Sequence, residues 1–250
     1  MAPKLFLYTR IDDRRSWWWT YAEVLEYTRR LGIEVAAVVP IHRVRRWGYP
    51  IKELTGLPSN IELWLWIGGA RDDAINKIID RFGGLKQFLE VVKQSFDGVA
   101  GIDYTVYLDE CSEDDSRRVA DAARQLLEVA KAIGIDVVPQ VRVCRVRDLV
   151  FFRGLNTDSF LYNAIHDLRD GFEKHVAETL SMLKNLGYGI WVAISGYDRE
   201  YTFLKRLTEQ GIEIDGVLTG IRCEHFKWIR SKYTRCVLDT VSKALEVLEH

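Results

Sequence analysis

The chain has almost no net charge, little cysteine or proline, and no long apolar run. Its 250 residues carry 35 basic and 36 acidic side chains, a formal charge of −1. That balance excludes the broad positive footprint of a nucleic-acid binder and leaves Arg43, Arg45 and Arg46 as a local basic cluster. The apolar runs fall far short of the ~20 residues that span a bilayer, so no membrane partner is expected. The four cysteines, Cys111, Cys144, Cys223 and Cys236, form no CxxC pair, which argues against a zinc knuckle and against a disulfide-built scaffold. A P-loop, GxGxxG and GxSxG are all missing, so neither a nucleotide cofactor nor a Ser-His-Asp elbow is indicated. No signal peptide precedes the strand-like run after Met1-Ala2-Pro3-Lys4, and a cytoplasmic location is expected. Only 2 methionines and few side-chain amides, beside many ionic residues, suggest a thermophilic source.

What is present is a repeated junction. Leu31-Gly32-Ile33, Ile133-Gly134-Ile135, Leu186-Gly187-Tyr188 and Gln210-Gly211-Ile212 each end a helical pattern and start a β-rich run. Glycine after a helix takes the left-handed conformation that stops it, and the following apolar residues enter a buried strand. Alternation of this kind specifies a parallel sheet. Candidate strands fall at 4–10, 34–40, 61–67, 98–104, 136–143, 148–153, 190–195 and 215–219. Helical patterns lie at about 17–31, 72–95, 113–133, 167–186, 199–210 and 224–246. The strand count and the length favour an α/β single-domain (β/α)8 TIM-type barrel over an open doubly wound sheet, with an irregular second βα loop containing Pro50 and Pro58. The domain is expected to span 1–247, with Leu248-Glu249-His250 an expression-tag remnant.

Active residues of such barrels sit on the loops after the strands' C-terminal ends. This rule gathers Arg10, Asp12, Asp13 and Arg14, then His42 and Arg43, then Gly68, Gly69, Arg71 and Asp72. The fourth and fifth strands add Asp103, Tyr104, Tyr107, Asp109, Glu110, Arg142 and Cys144. Later strands add Arg153, Asn156, Asp158, Ser195, Tyr197, Asp198, Gly220, Arg222, Glu224 and His225. Two carboxylates in unlike environments divide into proton donor and base, the demand of glycoside hydrolysis. Asp103, which follows the small-residue run Gly98–Ile102, is the expected catalytic carboxylate, with Asp109 or Asp198 as partner. Asp12 and Arg142 would orient a small-molecule or oligosaccharide substrate. Trp66, Tyr104, Tyr107 and Tyr197 would offer flat faces to sugar rings, and Gly220 a backbone contact. No metal or other cofactor is expected, and the oligomeric state stays open.

Ile67-Gly68-Gly69, Phe96-Asp97-Gly98-Val99 and Ile102-Asp103-Tyr104 resemble the third and fourth strands of family-18 glycoside hydrolases, over about forty residues. The resemblance implies a sugar-hydrolysing barrel with an acidic fourth strand. The chain departs from that motif where Ala100, Ile102 and Tyr104 replace its later acids, so the family's mechanism is not carried over.

Three other readings stand beside this one. Ser195-Gly196 and Leu218-Thr219-Gly220 fall where many barrels hold a phosphate, and Tyr104–Tyr107 with Asp215–Gly220 look somewhat like the archaeal class I aldolases. No lysine ends an expected strand, however, so Schiff-base chemistry is not indicated. Asp12-Asp13 with His42 resembles polysaccharide deacetylases, but their HxxxH pair is missing: His166 and His175 are nine apart. Cys144, Cys223 and His225 could also converge on a metal. The last reading is a barrel that binds without catalysis.

Overall fold

Apolar runs covered on one face by helices and on the other by a packed interior become parallel strands, and here they wind into a barrel. The computed structural model describes residues 4–8, 24, 28, 33–44, 47–48, 57, 60–220 and 230–249. Its strands are β1 (Lys4–Tyr8), β2 (Glu34–Pro40), β3 (Glu62–Ile67), β4 (Gly98–Gly101), β5 (Asp136–Val138), β6 (Gln140–Val141), β7 (Ser159–Asn163), β8 (Gly189–Ile194) and β9 (Gly216–Thr219). They form one 9-stranded sheet in the order β5-β4-β3-β2-β1-β9-β8-β7-β6, and every pairing is parallel. The two ends of that order, β5 and β6, are separated in the chain by Pro139 alone. They are halves of one barrel strand. The first half pairs with β4 and the second with β7. The fold is an α/β TIM-type barrel of eight strand positions.

Side chains alternate between two cores. Phe6, Ala36, Val38, Trp64, Trp66, Ala100, Val138, Leu161, Trp191, Ala193 and Leu218 fill the barrel interior. The residues between them face the helices. Interior tryptophans fit because glycine faces them from the next strand: Trp64 pairs in register with Gly98, and Trp191 with Gly216. A Cβ on Gly98 would come within 2.7 Å of the Trp64 ring. Phe6 packs at 4.6 Å from Trp191 and 5.4 Å from Trp64, ring centroid to centroid. Below them Lys4 reaches Glu62 at 2.5 Å and Glu34 at 3.3 Å, closing the floor with a cation held over the Trp64 ring.

The helix Glu113–Ile133 begins at a capping box made by Ser112 and Asp115 and ends at Gly134, which is left-handed at φ 73°. Two other helical patterns are each divided into shorter helices. The expected 72–95 is two helices, Asp72–Asp80 and Leu85–Val92, parted at Gly83 and Gly84. The expected 167–186 is Ile165–Arg169 followed by Glu173–Asn185. Helix Asp198–Glu209 follows β8. Of the expected 17–31, only residues 24 and 28 are described, both helical. The final helix runs Arg230–Leu248, and Leu248 is buried in the outer core, so ordered structure extends past residue 247.

The sixth strand was misplaced. Val146–Phe152 is a 3-10 helix, in which the Asp148 carboxylate accepts the Ser116 hydroxyl at 2.9 Å and the Arg145 amide at 3.3 Å. The true sixth barrel strand is β7. A parallel crossover needs a dozen or more residues, and the gap from 143 to 148 could not supply one.

A second correction concerns cysteine. Cys111 and Cys144 form a disulfide across 33 positions of sequence, between the loop after β4 and the loop after β6. Spacing gives no warning, because the two positions meet only when those strands become near neighbours. Among the described residues no helix is long and apolar enough to cross a membrane.

Candidate functional site

The chain leaves β4 at Gly101, whose φ of 113° turns the backbone at the C-terminal end of the strand. The next bond to the sheet is the Asp103 amide donating to Ile67 O at 2.8 Å. This fastens Asp103 beside the end of β3. Gly68 allows the close approach, since a Cβ there would lie 2.7 Å from Asp103 Cβ. Asp103 is 7 % exposed.

Two strands and the helix after the second supply its surroundings. Gln140 on β6 donates its Nε2 to Asp103 Oδ1. Asn163 at the end of β7 donates its Nδ2 to Asp103 Oδ2 at 2.7 Å. Arg142, two positions after Gln140, pairs with Asp167 in the helix Ile165–Arg169 and donates to Asn163 O at 3.4 Å. The other Asp167 oxygen accepts the Tyr162 hydroxyl at 2.7 Å. All six side chains are buried. Burial pushes the Asp103 carboxyl above the ordinary carboxylate range, with a smaller push from Asp72, while Arg142 and the two amides hold it back. Burial likewise raises Asp167, against the pull of Arg142 and Tyr162.

Two buried atoms of this network have no partner among the described residues: Gln140 Oε1, an acceptor, and Arg142 Nε, a donor. A buried polar atom left unpaired costs about 1–3 kcal/mol, so a hydrogen-bonding partner for each is favoured.

The expected residues are distributed unevenly. Asp103 and Arg142 belong to the network, and Trp66 lies buried in the barrel interior beneath it, against Gly68. Tyr104 turns outward: its hydroxyl donates to Asn76 at 2.8 Å, with Arg118 over its ring. Asp109 is exposed, as are Tyr107 and Tyr197 at 64 % and 45 %. Asp198 starts a helix and pairs with Lys243 at 2.6 Å. Neither Asp109 nor Asp198 shares a hydrogen bond with Asp103 among the described residues. Gly220 packs against Ser195 O, and its amide is already given to Ile194 O at 3.3 Å. The helix beyond Gly196 opens with Asp198 and Glu200, a charge pattern unfavourable to phosphate. Asp12, Asp13, Arg222, Cys223, Glu224 and His225 lie outside the described residues. His42 sits in a short 3-10 turn after β2. Among the described residues no three His, Cys, Asp or Glu side chains converge as metal ligands.

Gln140, Asn163, Tyr162 and Asp167 were not anticipated. A sixth strand expected at 148–153 leaves Tyr162, Asn163 and Asp167 away from any strand end, whereas Gln140 lies inside the expected fifth strand. The turn-forming run Gly154, Asn156, Thr157 and Asp158 before Ser159-Phe160-Leu161-Tyr162 was the available signal. The same displacement moves Asn156 and Asp158 to the opposite, N-terminal end of the barrel, beside the start of β7.

No protein-family model and no curated protein sequence matches the chain. Solved structures do. D-psicose 3-epimerase with D-tagatose from Clostridium cellulolyticum H10 is similar with a TM-score of 0.52 at 12% identity, covering 98% of this chain and 99% of that one. A chain of the Amycolatopsis orientalis BexX/CysO complex gives 0.51 at 12% identity, over 98% and 91%. A sugar phosphate isomerase/epimerase from Parabacteroides distasonis gives 0.50 at 10% identity, over 96% of each chain. At such identities the likeness is one of fold. It also corrects the family-18 resemblance, for these barrels are not glycoside hydrolases of that family. The motif that suggested it is built differently: Asp97 precedes β4 and accepts the Leu63 amide at 2.7 Å, a brace between strands.

Proposed function

We propose that the barrel binds a neutral sugar or related polyol at its C-terminal mouth and moves a proton on it, Asp103 being the carboxylate that takes and returns that proton. The observation that carries this reading is the pair of orphaned atoms beside Asp103. A polyol carries several hydroxyls, which can accept from Arg142 Nε and donate to Gln140 Oε1.

Hydrolysis of a glycosidic bond needs a second carboxylate across the bond. Asp167 is tied up as the buried counter-ion of Arg142, and Asp198 is held outside by Lys243. A single carboxylate of raised proton affinity suits isomerisation instead. It removes the proton from the carbon bearing a hydroxyl beside a carbonyl, and returns it to the former carbonyl carbon. The hydroxyl proton migrates between the two oxygens, so atoms and electrons balance without an oxidant. Arg142 Nε–H would stabilise the oxyanion that develops between the two steps. The fold neighbours whose printed names are sugar epimerase and isomerase agree with this chemistry.

The test is solvent exchange. Incubation with free aldoses and ketoses in D2O should place deuterium at the carbon next to the carbonyl. Asp103→Asn should slow it by about 10²–10⁴-fold, the usual worth of a positioned acid–base group. Exchange seen only with sugar phosphates, or unchanged in Asp103→Asn, would overturn the assignment.

A further inference from the structure

At the other end of the barrel, the split strand leaves an opening. β5 pairs only with β4, β6 only with β7, and the first bond joining the two sides is Leu161 N to Pro139 O at 2.9 Å. Below that bond β5 and β7 share no ladder. The cavity between them has a volume of about 780 Å³, within the size range of small-molecule sites. One wall is the loop Gly154–Ser159, another the helix face carrying Arg124, Glu128 and Lys131, and the depth is closed by Lys4, Trp64 and Trp191.

We propose that this cavity is a second ligand site, for an uncharged, hydroxyl-bearing small molecule. Charge argues the class. The lining holds three cations, Lys4, Arg124 and Lys131, and three anions, Glu128, Asp136 and Asp158. Lys4 is already paired with Glu34 and Glu62, and Arg124 with Asp121 at 2.5 Å, so neither is free to hold an anion. Hydrogen-bonding groups are plentiful. The exposed Asn156 and Asp158 have no side-chain partner among the described residues, and the edge of β5 that faces β7 has no strand beside it. The indole edges of Trp64 and Trp191 supply apolar surface behind this polar rim. The site shares no residue with the Asp103 network and does not depend on its chemistry.

The experiment is amide NMR of the full chain titrated with maltose, with inorganic phosphate and glycine as charged and zwitterionic controls. Maltose should shift the backbone amides of 135–138 and 154–159, in Asp103→Asn as in the wild type. Asn156→Trp, an exposed position, plugs the opening and should weaken that response about tenfold or more, equivalent to about 1.4 kcal/mol. Failure of maltose to move these amides, or a response to phosphate or glycine alone, would overturn the proposal. So would an Asn156→Trp variant that stays folded and binds maltose as before. None of these results bears on exchange at the mouth, so the two readings fail separately.

Discussion

Serine at positions 111 and 144 should cost the protein much of its stability while leaving its fold intact. The disulfide closes a loop of 33 positions between two loops on the mouth face. The chain-entropy relation gives about −12.5 cal/mol/K for a loop of that length, or about 3.7 kcal/mol at 25 °C. A chain of 250 residues unfolds with an entropy near 2.1 cal/mol/K per residue, about 0.53 kcal/mol/K in all, so the melting temperature should fall by about 7 °C. Scanning calorimetry of wild type and the double variant Cys111→Ser/Cys144→Ser measures the shift. Urea unfolding gives a second readout: the uncrosslinked unfolded chain exposes more surface, so the denaturant slope should steepen. Mutation is preferable to a reductant because Cys236 is also disulfide-bonded. A loss below about 2 °C with an unchanged slope, in protein whose bond is confirmed by mass spectrometry, would refute the reasoning.

Other perturbations probe the interior. Gly98→Ala brings a Cβ to 2.7 Å from the Trp64 ring, and overpacking of that kind should cost about 1–3 kcal/mol in urea unfolding. Asp167→Ala leaves Arg142 buried without its counter-ion and should cost about 3–5 kcal/mol, whereas an exposed pair such as Asp198–Lys243 should cost under about 1 kcal/mol. The pH dependence has a definite sign. Burial raises Asp103, so the folded state holds that proton more tightly than the unfolded chain. Stability is favoured below the unfolded value and declines as pH rises through the folded one. Asp103→Asn removes this decline, so the variant should gain on the wild type as pH increases from acid to neutral, measured by melting at several pH values. A gap that is constant with pH would contradict the burial argument.

The barrel was legible because its logic is local. A glycine that stops a helix and an apolar run that follows it are neighbours in sequence, and Gly134 behaves as that pattern requires. Asp103 could be singled out because a small-residue strand leads directly to it. Its partners could not. Gln140, Asn163 and Asp167 reach the site through closure of the barrel, and their order in the chain says nothing about which strands end side by side. One misassigned segment was enough to hide Asn163 and Asp167, since 148–153 is as apolar as a strand but lies too near its predecessor to be one, while Gln140 lay within the expected fifth strand among residues that read as packing. The tryptophans misled in the other direction: Trp66 looks like a sugar platform in sequence, yet it is interior packing.

Pro139 has a mechanical consequence. An unbroken barrel is a hoop: widening it stretches hydrogen bonds around the whole circumference. Here the circumference is cut along part of one meridian, where β5 and β7 share no ladder. The cylinder is therefore a split ring, stiff at the mouth, where β6 grips β7, and compliant at the base. Its girth at the base can change by flexing at one residue that lacks an amide proton and holds β7 through its carbonyl alone, which accepts Leu161 N at 2.9 Å. Deuterium exchange should record this as a gradient along a single strand, fast at 136–138 and slow at 140–141.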